Sequence, residues 1–294
     1  MRFDRFERII GTEKIESLKH KEVAIFGLGG VGSYALEAIA RSGIGKVIIC
    51  DYDHVDITNI NRQLIAKEST IGMLKTDVAE ASLKDINPDI EVLAYPIKAD
   101  KQLIQDILAL NPDFVIDAID DVQAKTDLIK TTIKLDIPII ASMGFANKLH
   151  PELIEISTLD KTQVCPLAKI MRKRLKLENV TLNFPVVYSK EVPKLSRNNT
   201  ILGSSAYVPS VAGLMLASYV INKLIGEWYE KNNASWRMLL GFRSLLSKSQ
   251  RSYFDSCWIY WWINRQSKLW WSLRWFRSRR SRVHRIWWTN YQFI

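Results

Sequence analysis

The chain has 294 residues, 47% of them hydrophobic and 24% charged, enough for one large core domain or a domain with an appendage. Its formal charge of +10 does not describe the body: from Tyr229 onward there are 13 Lys+Arg against 2 Asp+Glu, which leaves 28 basic and 29 acidic residues in positions 1–228. Cys50, Cys165 and Cys257 are too few and scattered for a disulfide framework or paired CxxC zinc knuckles, and MRFDRFERIIG has no apolar signal-peptide core, so a reducing, cytoplasmic setting without structural zinc is expected.

Residues 2–18 have amphipathic helical spacing and precede a strand at 23–26; a glycine turn, a helix over 33–41 stopped at Gly43 and an apolar strand at 47–50 complete a βαβ unit. A helix from about 73 to 85 leads through Asn87-Pro88 to a strand at 92–96, and a helix at 103–110, a strand at 114–118, a helix at 122–135 and a strand at 138–141 follow. Continuous apolar strands alternating with helices imply an α/β fold, a doubly wound and mainly parallel sheet with helices on both faces. From Leu149 the alternation loosens into a strand at 153–157, a basic helix at 167–176, a strand at 186–189 and a helix after Pro209. This half is expected as a less regular C-terminal extension of one domain spanning 1–228. The apolar run 207–225 contains Pro209, Gly213, Asn222 and Lys223 and reads as a buried helix, so no membrane span is expected.

All ten tryptophans lie at or beyond Trp228, three times as WW pairs amid Ser and Arg. Residues 229–294 hold no lasting helical or strand period and are not expected to form a folded domain. Tryptophan has a single codon, TGG, and WW pairs arise when a glycine-rich stretch is read in a shifted frame; a frameshift or otherwise non-native end is the expectation.

The chemistry concentrates between Gly27 and Lys75. Gly27, Gly29 and Gly32 fit G-x-G-x-x-G between a strand and a helix, the Rossmann-type turn, where glycine allows close backbone approach and the helix N-terminus offers N–H groups to phosphate. Asp51 ends the second strand, where a carboxylate accepts from a ribose hydroxyl. Taken alone these residues suit NAD. Asn59, Arg62 and Gln63 of TNINRQ and Lys75 at the next helix start redirect the reading, because converging cations suit a triphosphate whose charge grows as pyrophosphate leaves. Asp120, after the strand FVIDAID, is placed to hold Mg²⁺ through the phosphates.

This ordered set resembles the E1-like adenylating superfamily of ThiF, MoeB and HesA proteins, whose members bind ATP and Mg²⁺ and adenylate a carboxylate. The resemblance implies that Asp51 holds the ribose, that Asn59, Arg62, Gln63 and Lys75 contact phosphates or adenosine, and that Asp120 is the metal ligand. It also implies that Arg5 of RFDRFERIIG reaches the ATP of a neighbouring subunit, hence a homodimer. The segments SMGFANKLHPELIEISTLDKTQVCPLAKIMRKRLK, VVYSKEVP and GSSAYVPSVAGLMLASYVI are similar to the tRNA threonylcarbamoyladenosine dehydratase branch. That branch activates the carboxylate of the threonylcarbamoyl group on adenosine 37 of tRNA, and a tethered nitrogen then closes a ring with loss of AMP and a net loss of water. An internal attack needs no enzyme nucleophile. The alternative is an adenylyltransferase acting on a sulfur-carrier protein, and the resemblance leaves open a sulfur-relay or redox partner.

Within the branch motifs His150 and Cys165 stand where Asp is usual; His150 reads as a turn histidine next to Pro151 and Cys165 as a small tolerated side chain. For tRNA, Lys169, Arg172, Lys173, Arg174 and Lys176 make the densest basic patch of the neutral body.

Overall fold

Seven strands form one sheet in the order β3-β2-β1-β4-β5-β7-β6, in a computed structural model that describes residues 2–194 and 202–227. In chain order the elements are α1 (Asp4–Ile10), α2 (Thr12–Leu18), β1 (Glu22–Phe26), α3 (Gly32–Arg41), β2 (Lys46–Cys50), α4 (Lys75–Ile86), β3 (Glu91–Tyr95) and α5 (Lys101–Leu108). There follow β4 (Phe114–Asp117), α6 (Val122–Lys134), β5 (Ile139–Ser142), β6 (Ile154–Thr158), α7 (Pro166–Leu177), β7 (Pro185–Ser189) and α8 (Tyr207–Leu224). All pairings are parallel except the antiparallel β6–β7 pair at one edge.

Alternate residues of each central strand serve opposite cores, as the two-residue period of a strand requires. Val23, Ile25, Val47, Ile49 and Ile116 pack with Leu36 and Ile39 of α3, Leu83 of α4 and Leu216 and Val220 of α8. Ala24, Phe26, Ile48 and Val115 pack with Ile104 and Ile107 of α5, Leu128 and Ile129 of α6 and Met171 and Leu175 of α7. Phe26 is level with Cys50 on one side and with Asp117 on the other, so β1, β2 and β4 end together. The order reverses at β1, and the crevice beyond the β1 and β4 ends is where such sheets take ligands.

The opening segment 2–18 is helical in two pieces, because Gly11 turns the chain at φ 88° between them. The C-terminal half extends the sheet less regularly, as expected: β7 lies beside β5, the antiparallel β6 caps the edge, and α8 packs along α3 with Val208, Ala212 and Leu216 fully buried. The β5–β7–β6 order is not consecutive in the chain. No helix among the described residues is long and apolar enough to cross a membrane. The expectations for residues 229–294 lie outside the described residues.

Candidate nucleotide site

The glycine turn connects β1 to α3. Gly27 has φ 90°, and a Cβ there would stand 2.7 Å from the Ala118 carbonyl oxygen; at Gly32 it would stand 1.8 Å from the Gly27 carbonyl oxygen. These two glycines are demanded by the protein's own packing. Gly29 is not: its nearest neighbour across the gap is Gln63 Nε2 at 3.9 Å, which leaves the space above its backbone for a ligand. Gln63 is 7% exposed and its Oε1 is buried without a hydrogen-bond partner among the described residues. An unsatisfied buried amide group costs free energy unless a partner arrives. The N-terminus of α3 has no side-chain cap; its Ser33 and Ala35 N–H groups donate to the Gly29 and Val31 carbonyls, and the positive end of the helix faces the turn, where an anion is favoured. Open backbone, orphan amide and uncapped helix together fit a phosphorylated ligand.

Asp51 extends from the end of β2 into this turn. Its Oδ2 accepts from the Leu28 N–H at 2.6 Å and its Oδ1 from the Asp53 N–H at 2.9 Å. Lys75, the first residue of α4, is 4% exposed, with Nζ 2.7 Å from Asp53 Oδ2 and 4.0 Å from Asp51 Oδ1. Burial pushes the Asp51 carboxyl above the ordinary Asp value, while Lys75 and the two backbone donors pull against it. A buried ammonium needs such partners. Asp53 was missed by sequence reasoning, although its spacing in DYDHVD was the available signal.

The TNINRQ element is bound to the turn through Ser33, whose hydroxyl donates to the Gly29 carbonyl at 2.7 Å and accepts from the Leu64 N–H at 3.2 Å. Asn59 Oδ1 accepts from the Asp56 N–H at 3.1 Å, closing a capping box with Asp56. Asn59 therefore builds the loop. Arg62 packs its Cγ 3.3 Å from the Cβ position of Gly30, and its guanidinium donates to the Thr58 carbonyl and to Asn61 Oδ1. It makes no ion pair among the described residues, so a cation stands beside the turn with neutral partners only. Asn61 in turn donates to the Ser204 carbonyl at 2.9 Å, tying the loop to the approach of α8.

Asp120 is exposed in the loop after β4. Among the described residues no three His, Cys, Asp or Glu side chains cluster as a ready cation site. Asp117 at the β4 end and Lys125 on α6 are both fully buried and paired at 2.9 Å. Neither was singled out by the sequence. Burial raises the Asp117 carboxyl, against the pull of Lys125.

Arg5 lies exposed on α1, far from its own chain's turn in the fold: Phe3 packs on Gly43 beyond the end of α3, and Arg2 donates to the Ile86 carbonyl at the end of α4. The basic helix α7 divides into two sets. Arg172 is held by the Thr162 carbonyl and hydroxyl, and Arg174 by Gln123. Lys169, Lys173 and Lys176 form an exposed row without ion pairs among the described residues. Cys165 is 1% exposed at the start of α7 with Sγ 3.9 Å from the Gly144 carbonyl. His150 pairs locally with Glu152 at 2.9 Å in its turn.

Fold and site define a nucleotide-binding α/β protein of Rossmann type, built for a ligand with phosphates. The ThiF family model matches residues 3–254. The chain belongs to the ThiF family. It is 40% identical over 241 residues to tRNA threonylcarbamoyladenosine dehydratase of Bacillus subtilis, covering 76% of this chain and 95% of that protein. The Haemophilus influenzae protein of the same name is 32% identical over 243 residues, covering 76% and 93%. Among solved structures, the Escherichia coli dehydratase TcdA in complex with ATP superposes with a TM-score of 0.72 at 30% identity, covering 77% of this chain and 94% of that one. Its complex with AMP gives 0.73 at 29% identity, covering 77% and 94%.

Proposed function

We propose that the protein is an ATP-dependent dehydratase that adenylates and cyclises N6-threonylcarbamoyladenosine at position 37 of tRNA. The observation that carries the nucleotide chemistry is the buried Lys75 ammonium set between Asp51 and Asp53 beside an open glycine turn. The substrate follows from similarity along 95% of a relative named for that reaction.

In this reading the α3 N-terminus and the Gly29 backbone take phosphate oxygens, and Asp51 accepts from the ribose. Gln63 completes its hydrogen bonding on the nucleotide. Asn59 holds the loop that presents Arg62. The substrate carboxylate attacks the α-phosphorus and pyrophosphate leaves; Lys75 and Arg62, fixed before the reaction, balance the negative charge that develops. Mg²⁺, when bound through the phosphates, supplies further charge neutralisation, and Asp120 is the carboxylate that would hold it. The tethered ureido nitrogen then attacks the acyl carbon, expelling AMP and losing its proton, so no side chain becomes acylated.

Arg5 supports a homodimer, since its own chain's site lies at the other end of the sheet. Lys169, Lys173 and Lys176 are the residues offered to tRNA phosphates, with Arg172 and Arg174 in a structural part. A cytoplasmic location accords with a tRNA substrate. Pyrophosphate release is the test: it should require ATP and tRNA carrying the modified adenosine. Release with unmodified tRNA, or only with a carrier protein ending in glycine, would refute the assignment.

A further inference from the structure

The reaction proposed above leaves the buried Asp117–Lys125 pair unused. Lys125 Nζ donates to Asp117 Oδ1 and to the Ile119 carbonyl, both at 2.9 Å, and the same Oδ1 accepts from the Ile119 N–H at 3.1 Å. Ile119 is thus held at both its N–H and its carbonyl. On one side, the Ala118 N–H donates to the Phe26 carbonyl at 2.8 Å and the Ala118 carbonyl abuts Gly27. On the other, Asp121 accepts from the Ala124 N–H at 2.8 Å and starts α6. Asp120 stands exposed between these fastenings.

Stability does not account for the pair. An apolar pair of similar volume is often as stable as a buried ion pair or more so, and Asp117 Oδ2 carries the added cost of having no partner among the described residues. What apolar side chains cannot do is grip the backbone of Ile119 from both sides. We infer that Lys125 is a positioning residue for the nucleotide site: by fixing the Ile119 carbonyl it sets the direction in which Asp120 leaves the sheet edge. The inference rests on the reading of Asp120 as the carboxylate for Mg²⁺.

Lys125→Met alone leaves a bare buried carboxylate and threatens folding, so the informative protein is the double variant Asp117→Asn, Lys125→Met. It is expected to fold with a thermal midpoint at or above that of the unaltered chain. Its ATP affinity without Mg²⁺ should stay within about threefold, because Asp51, Arg62 and Lys75 are untouched. The tightening of ATP binding on adding Mg²⁺ should fall about tenfold or more, with KM for ATP rising by a similar factor and kcat falling, while KM for tRNA changes little. Lys125→Arg, which keeps a cation and its donors, should restore part of both. A folded double variant with unaltered Mg²⁺-dependent binding and kcat overturns the inference. So does a double variant that cannot fold, since the pair would then be structural. Asp120→Asn separates the levels: if it loses the Mg²⁺ dependence while the double variant keeps it, only the role of Lys125 fails. If Asp120→Asn binds ATP with full Mg²⁺ dependence, the reading of Asp120 fails and takes this inference with it.

Discussion

Two sets of charged residues face different problems in this fold. Around the ends of β1, β2 and β4 the charges are buried and bonded to one another: Asp51 at 8%, Lys75 at 4%, Asp117 and Lys125 at 0% exposure. Along α7 the lysines at 169, 173 and 176 stand in solvent while Met171 and Leu175 of the same helix are fully buried. Buried charges have fixed positions and strong fields, which suits a small ligand whose charge changes during reaction. Exposed lysines on flexible stems are screened and poorly fixed, which suits a large polyanion met at many points. In the proposed function, one sheet separates chemistry from docking.

The largest effect should come from the buried set. Lys75→Ala removes the partner of Asp51 and Asp53 and should lower kcat/KM for ATP by about 100-fold or more, of the order seen when a preorganised charge stabiliser is lost. Steady-state pyrophosphate release measures it, and a loss below about threefold would mean that Lys75 only balances its neighbours.

Asp51→Asn should weaken ATP binding by about tenfold, the scale of one charge-assisted hydrogen bond. It should also flatten the acid limb of the binding profile. Burial holds the Asp51 carboxyl above the ordinary Asp value of 3.8, so the protein without ligand takes up this proton at a higher pH than an exposed Asp would. Accepting from ribose needs the charged form. Affinity should therefore fall as pH drops through that raised value, and calorimetric titration against pH should find the fall missing in Asp51→Asn.

In the exposed set, reversing Lys169, Lys173 and Lys176 to Glu should lower tRNA affinity about tenfold at moderate salt and reduce the slope of log affinity against log salt by roughly two to three. ATP affinity should not move. A loss confined to Arg172 and Arg174 variants, or a parallel loss of ATP binding, would undo the division between the two sets.

The smallest effect concerns Lys148, 1% exposed, whose ammonium is disfavoured by burial so that its folded value lies below 10.5. The folded state therefore gains stability as pH rises through that lowered value toward 10.5. Below it the cost of the buried charge is fully present, and Lys148→Met should raise the thermal midpoint by a few degrees there. The gain should shrink on approaching pH 10.5, as thermal melts across pH would show.

Most of the strand and helix alternation could be read in advance because parallel strands buried on both faces are apolar throughout, and the glycine turn sits where strand meets helix. Asp51, Arg62, Gln63 and Lys75, singled out by their order, are brought together around the glycine turn. The sequence did not reveal that Asn59 caps a loop, that Asp53 partners Lys75, or that Ser33 joins the two halves of the site. Those roles depend on contacts across loops, for which no periodicity exists. Asp117 and Lys125 escaped for a related reason: a charge inside an apolar strand declares burial, but its partner is fixed only when α6 packs. Likewise the row on α7 could be counted as basic but not divided, since Arg172 and Arg174 are tied down by Thr162 and Gln123.

The central claim is tested most directly by mass analysis of tRNA nucleosides before and after incubation with the protein and ATP. The account predicts that N6-threonylcarbamoyladenosine is replaced by a nucleoside lighter by one water, only when ATP is present, and that Lys75→Ala slows the conversion. Threonylcarbamoyladenosine left unchanged by active, ATP-binding protein would contradict it.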